Sequence, residues 1–344
     1  MRVSEGLVHD SFFIGDTDSV YRTLCREQLK TKQADSAHMQ RDPLIKRYQI
    51  LMSEQYYHPT NSEWQRKFML VMKDAIIEQH YSLNASWTQL PGMHLREFVS
   101  QIDGTLQNYL IYVPEKVSGP LPLVIDMPYA QQPERPFLES ALAIGWPQAL
   151  DDIKRAADHA GIAVAIIDGR GNVGDAPIGE ADAFEVLNDL TKSYNIDTHK
   201  LYLFGTCQGG RRAIMLAEHY PGVFAAIGTY GPALGAKRSI LSRFWFGRHD
   251  GVYSQMDNLV ITPIKVLQGE YDDVPPKAVL NEFIRTLRKI SPSSELEYYP
   301  DGTHGTNASE ARLFPWLAQH RNASVAPPIQ KLMGESLSKV MQAQ

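Results

Sequence analysis

Lys200-Leu201-Tyr202-Leu203-Phe204-Gly205-Thr206-Cys207-Gln208-Gly209-Gly210 joins two different periodicities. Its first five residues read as a short buried strand. After it, Arg211 to Tyr220 places Ile214, Met215 and Ala217 in a helix-compatible pattern. A strand that passes into a helix through glycines, with one reactive side chain at the tip, has the form of a nucleophile elbow, because bulky flanking residues would strike the neighbouring strand and helix. Here cysteine stands where serine is usual. At a helix N-terminus the unpaired backbone N–H groups and the helix dipole favour a thiolate at Cys207. The N–H of Gln208 would face the oxygen of an acyl group attacked by Cys207 and supply half of an oxyanion hole.

Outward from this motif, the chain of 344 residues is long enough for one large α/β domain and a smaller appendage. With 34 basic and 39 acidic residues the net charge is -5, and no long block of one sign occurs. That balance argues against nucleic-acid or anionic-membrane partners and for small molecules or proteins. The only two cysteines, Cys25 and Cys207, lie far apart in sequence, so a reducing, cytoplasmic setting is expected rather than a disulfide framework. Met1 to Gly15 lacks the pattern of a secretory signal, and no stretch approaches the length of a membrane span.

The first ninety or so residues read as helical. Asp16 to Gln33 is one candidate helix, Asp42-Pro43 opens a second, and Ser62-Glu63-Trp64-Gln65 is a capping box before a third. This defines a helical N-terminal module over 1–93. Its aromatic and methionine side chains suit a core, a substrate cavity wall or a homodimer face. His58 and His80 have no metal-like spacing with acidic or cysteine partners, and neither a metal nor a cofactor is expected.

From Leu95 the period becomes strand-like. Leu95 to Gln101 and Thr105 to Val113 flank Ile102-Asp103-Gly104, a hairpin signal, and Leu121 to Met127 reads as a central strand. Helices and strands then alternate to His320, the rhythm of a mostly parallel sheet flanked by helices. The α/β catalytic domain is expected over 94–325. A lid-like insertion at about 231–258 carries Trp245 and His249 as candidate substrate contacts, and a C-terminal tail over 326–344 is expected to dock on the surface or on a second subunit.

A cysteine nucleophile needs a base, usually histidine oriented by a carboxylate, and in this chain order both should follow residue 207. Gly269-Glu270-Tyr271-Asp272-Asp273-Val274-Pro275 follows an apolar strand, where open parallel sheets bind ligands. Asp272 is the candidate acid and Asp273 its competitor. His304, in Asp301-Gly302-Thr303-His304-Gly305, lies between the last strand and last helix and is the candidate base; His219 and His320 read as satisfied residues at helix ends. A cation near a helix start opposes the dipole, which suggests a use for Arg211 and Arg212, such as binding a substrate carboxylate or further stabilising the thiolate. The plainer reading, which the sequence favours slightly for each, is a solvated arginine on the helix surface.

The stretch from about Phe98 to Leu317 resembles the α/β-hydrolase superfamily, in particular its esterase and peptidase branch of polyhydroxybutyrate-depolymerase-like and prolyl-oligopeptidase-like enzymes. The resemblance rests on Val99 to Thr105, Asp168-Gly169-Arg170-Gly171-Asn172, Tyr194-Asn195-Ile196-Asp197 before the elbow strand, and the acid loop. The cysteine is similar to that of dienelactone hydrolases and polyhydroxyalkanoate synthases. The family's His-Gly turn after the third core strand is replaced by Met127-Pro128-Tyr129-Ala130. Proline has no N–H, so Tyr129 or Ala130 must supply the second oxyanion donor. The resemblance implies a Cys207-His304-Asp272 triad acting on an ester or thioester through an acyl-enzyme, with hydrolysis as the family default. A biosynthetic acyltransferase using an acyl carrier, and a scaffold that kept the fold without the chemistry, are the alternatives.

Overall fold

The computed structural model describes residues 91–116, 118–129, 147–170, 176–234, 251–304, 309–323 and 327–343. The helices expected over 1–90, and Trp245 and His249 of the lid-like insertion, lie outside the described residues.

Among the described residues eight strands form one sheet in the order β1-β2-β4-β3-β5-β6-β7-β8. They are β1 (Gly92–Val99), β2 (Leu106–Val113), β3 (Leu121–Met127), β4 (Ala163–Ile167), β5 (Ile196–Thr206), β6 (Ala226–Tyr230), β7 (Ile264–Gly269) and β8 (Glu295–Tyr299). β1 and β2 are antiparallel to their neighbours, and β3 to β8 run parallel. Among the described residues six α-helices accompany them: α1 (Pro147–Ala160), α2 (Pro177–Ser193), α3 (Gln208–His219), α4 (Lys277–Ile290), α5 (Glu310–Leu317) and α6 (Ile329–Ala343). The alternation predicted this mostly parallel sheet with flanking helices, and it agrees with the α/β-hydrolase fold that the resemblance implies.

The central strands are apolar on both faces because helices cover both. Leu123, Ile125, Leu201 and Leu203 join the core beneath α2, α3, α4 and α6. Their neighbours Val124, Tyr202 and Phe204 point the other way, into a core shared with α1 and α5. The period-2 alternation of a strand thus feeds two cores from one run of residues.

The structure departs from the sequence reading in one place and decides between its alternatives in another. β1 and β2 are joined by a six-residue loop, Ser100 to Thr105, rather than a tight turn at Asp103-Gly104, and the loop closes through Ser100 N–H to Thr105 O at 2.9 Å and Gly104 N–H to Ser100 O at 3.0 Å. The C-terminal segment, left open between a surface and a second subunit, packs as α6 against α2 of the same chain. Covered by the sheet on one side and α6 on the other, α2 buries even Glu180, Asp182, Glu185 and Asn188.

The buried charge on α2 is answered by Arg170, in the turn after β4. Its guanidinium donates to Asp182 Oδ1 at 2.9 Å, Asp103 Oδ2 at 2.8 Å and Ser100 Oγ at 2.6 Å, and Ser100 Oγ in turn donates to Glu185 Oε2 at 2.7 Å. One side chain therefore ties the β1–β2 loop and the β4 exit to α2. Burial pushes Asp182 up to about 7 against the pull of Arg170. Replacing Arg170 by Met should cost about 3–5 kcal/mol, because it strands two buried carboxylates. Groups whose folded pKa is raised favour the folded state when protonated and lose that contribution as pH rises. Urea denaturation should therefore show a larger loss in R170M at pH 8 than at pH 5.

Candidate active site

Cys207 links β5 to α3 with φ 55° and ψ −119°, a left-handed conformation uncommon for a residue with a Cβ. Such strain costs about 1–3 kcal/mol and persists where the surroundings over-determine it. The Cys207 N–H donates to Tyr230 O at 3.1 Å, while its carbonyl accepts from Ala233 N at 2.8 Å and Arg211 N at 3.3 Å. The glycines allow the approach. A Cβ on Gly205 would overlap the backbone of Gly209, one on Gly209 the carbonyl oxygen of Met127, and one on Gly210 the Thr229 hydroxyl. That hydroxyl donates to Gly205 O at 2.9 Å.

The two other loops meet at the same edge of the sheet, since the parallel strands β5, β7 and β8 all end there. Gly269 and Gly302 touch backbone to backbone: a Cβ on Gly269 would lie 2.6 Å from Gly302 O. Tyr271 N–H donates to Gly302 O at 2.8 Å, and Tyr230 Oη to Thr303 O at 2.5 Å. Asp272 is brought under His304, whose Nδ1 lies 3.1 Å from Oδ1 and 3.0 Å from Oδ2. Asp272 is sealed at 1% exposure, and its Oδ1 also accepts from Val274 N at 2.8 Å. Asp273, the competitor, is exposed, and α4 has no side-chain cap, so the capping use open to Asp273 is not taken.

Cys207, His304 and Asp272 are thus brought together. The hydrogen bond to Cys207, and then that to Asp272, push the His304 imidazole up to about 9 against the opposing effect of its partial burial. Both bonds favour the protonated imidazole. His219 and His320 are satisfied helix-end residues: His219 pairs with Glu180, and His320 Nδ1 lies 2.9 Å from Trp316 O.

The remaining expectations divide. Gln208 opens α3, and Tyr129, half-buried, follows β3 at the same end of the sheet. Arg211 and Arg212 are not solvated surface arginines; they are 4% and 2% exposed. Gly231 entered the sequence reading only as the first residue of the expected insertion. At φ 49°, just past β6, its missing Cβ leaves room for Asp272 Oδ2 at 2.5 Å and His304 Nδ1 at 3.1 Å. The only signal for it was a glycine ending an apolar strand. Among the described residues no group of three acidic, histidine or cysteine side chains could hold a metal, and no helix is long and apolar enough to cross a membrane.

Comparison with known proteins agrees with this architecture. The profile of the dienelactone hydrolase family matches residues 158–328, a span that includes the elbow, the acid loop and His304. A Yersinia pestis protein named, provisionally, as a carboxymethylenebutenolidase is 28% identical over 145 residues, 38% of this chain and 51% of its own. A Salmonella typhimurium protein with the same provisional name is 29% identical over 137 residues, 36% of this chain and 48% of its own. The chain thus matches about half the length of these relatives. Among solved structures, the substrate-bound fluorophosphonate-binding serine hydrolase F of Staphylococcus aureus superposes with a TM-score of 0.51 at 16% identity, covering 67% of this chain and 99% of that one. An S-formylglutathione hydrolase from Agrobacterium tumefaciens gives 0.51 at 15% identity, over 66% and 94%. Identities this low speak for the fold. The chain has the α/β-hydrolase fold, and its residues 158–328 match the dienelactone hydrolase family.

Proposed function

We propose that the protein is an ester hydrolase that works through a covalent acyl-enzyme on Cys207, with His304 as proton carrier and Asp272 as its orienting acid. The observation that carries this reading is the juxtaposition of a strained, glycine-lined Cys207 with a His304 hydrogen-bonded to a sealed carboxylate. The names of the matched family and relatives point to lactones, which are cyclic esters, as a substrate class worth placing first.

In the proposed cycle the Cys207 sulfur attacks the carbonyl carbon and the carbonyl electron pair moves onto oxygen. The backbone N–H groups of Gln208 and Tyr129 hold that oxyanion. Collapse breaks the C–O bond, and the proton on His304 passes to the leaving alkoxide. The neutral imidazole then takes a proton from water, whose oxygen attacks the thioester. The C–S bond breaks, a carboxylic acid departs, and the protonated imidazole and sulfur anion are restored.

Intact mass spectrometry during turnover of a panel of aryl esters, thioesters and lactones should show an acyl adduct on the protein, absent from Cys207→Ala. That variant should lose activity by about 10⁴-fold or more. An adduct that survives in C207A, or a panel with no substrate, would sink the reading.

The pH dependence follows from His304. The acid form is required to protonate the leaving group, so kcat/KM should fall as pH rises through about 9, where His304 releases its proton. The hydrogen bond and charge of Asp272 raise that value, so Asp272→Asn should move the alkaline limb down toward the ordinary histidine range. Gly231→Ala, which drives a methyl group between Asp272 and His304, should move it the same way while Cys207 stays intact. Rate profiles between pH 6 and 10 measure both shifts.

A further inference from the structure

Arg212 lies one helical turn after Gln208, buried within α3, and the cycle above gives it no role. Its Nη1 donates to the carbonyl oxygen of Pro128 at 2.8 Å, and its Nη2 lies 3.5 Å from Gln208 Oε1. These partners belong to the two segments that supply the oxyanion donors. Resting on the acyl-transfer reading, we propose that Arg212 is a positioning residue that sets the oxyanion hole: by holding the Pro128 carbonyl it turns the Tyr129 N–H toward the acyl oxygen on Cys207.

Peptide geometry makes the connection. Pro128 and Tyr129 are joined by a trans peptide, since Val274-Pro275 is the only cis bond among the described residues. In a trans peptide the C=O of one residue and the N–H of the next point in opposite directions across a rigid plane. A guanidinium that holds Pro128 O on its own side of that plane therefore fixes Tyr129 N–H on the other side, the orientation in which the proposal has it serve the acyl oxygen on Cys207.

The plane is also held on its other sides. A Cβ on Gly209 would lie 3.2 Å from the Pro128 carbonyl carbon, so the start of α3 runs directly against this peptide. Gly169, at φ 59°, packs against the proline ring, where a Cβ would stand 2.7 Å from Pro128 Cγ. The ring fixes its own φ. What those contacts leave free is rotation of the 128–129 peptide, the motion that a bond to its oxygen restrains. The charge of the guanidinium, 2% exposed, strengthens that bond.

Two reactions of the same sulfur separate positioning from general damage. Acylation by p-nitrophenyl acetate builds an oxyanion, whereas alkylation by iodoacetamide is a displacement at a saturated carbon and builds none. Arg212→Met should slow the acylation burst about a hundredfold, the scale of losing one oxyanion donor, and leave alkylation within twofold of the parent. Arg212→Lys keeps the charge and one donor but not the fork, and should lose about tenfold in acylation with alkylation again unchanged. Wild-type acylation rates in R212M, or acylation and alkylation falling in parallel, would overturn the assignment. If R212M does not fold, R212K decides alone, and an unchanged acylation rate there overturns it. A parent protein that alkylates at Cys207 but never acylates would instead defeat the acyl-transfer reading on which this rests.

Discussion

The left-handed backbone at Cys207 is the constraint from which the arrangement around it follows. An isolated chain would relax it by about 1–3 kcal/mol. Three backbone hydrogen bonds, each worth about 1 kcal/mol net, hold the residue from β6, from the loop beyond β6 and from its own helix. The burial of Ile214, Leu216 and Ala217 beneath the sheet adds several kcal/mol more at about 1.5–3 kcal/mol per large side chain. The strain is small beside what would be lost if the elbow relaxed and α3 rose from the sheet. Glycine at 205, 209 and 210 is the geometric condition, because each fills a place where a single methyl group would meet backbone or the Thr229 hydroxyl.

The proposed base and acid are placed by a second backbone contact of the same kind, Gly269 against Gly302, which closes the distance between the loops after β7 and β8. The side chains then partition by depth. Asp272 is sealed, while the His304 side chain is 36% exposed. A buried carboxylate is costly unless it is hydrogen-bonded, and Asp272 has both the Val274 N–H and the imidazole as partners. The imidazole remains open on one side, as the proposed proton carrier must be.

The fold was legible because its signals are local. The central strands β3, β4, β6 and β7 are short apolar runs bounded by turns, and the elbow glycines sit in an unbroken pattern. Asp272 and His304 were legible through chain order and their places after strands. What could not be read was set by contacts between distant segments. Gly231 matters because Asp272 and His304 arrive beside it from 41 and 73 residues further along. Arg211 and Arg212 looked like surface arginines because nothing within α3 shows that the β3 exit lies over its first turn. Likewise, α2 carries buried carboxylates where an amphipathic helix would show water because Ser100 of the β1–β2 loop, Arg170 and His219 answer them and α6 packs on the same helix.

The buried ionic cluster and the site then become parts of one structure. Gly169 and Arg170 are consecutive left-handed residues, at φ 59° and 60°. Gly169 presses on the Pro128 ring, and Arg170 reaches back to Asp182, Asp103 and Ser100. Buried ion pairs are poor sources of net stability, since desolvation offsets most of their attraction. A hydrophobic cluster between α2 and the β1–β2 loop would hold the layers as well. It would not fix the direction of the β4 exit, because apolar contact has no preferred angle, whereas a guanidinium fork bonded to three separate groups does. Holding that turn rigid keeps Gly169 against Pro128, and a proline replaces the glycine-bearing turn expected at this position. The chain gives up flexibility after β3 and gains a peptide plane braced from the β4 turn on one side and from α3 on the other.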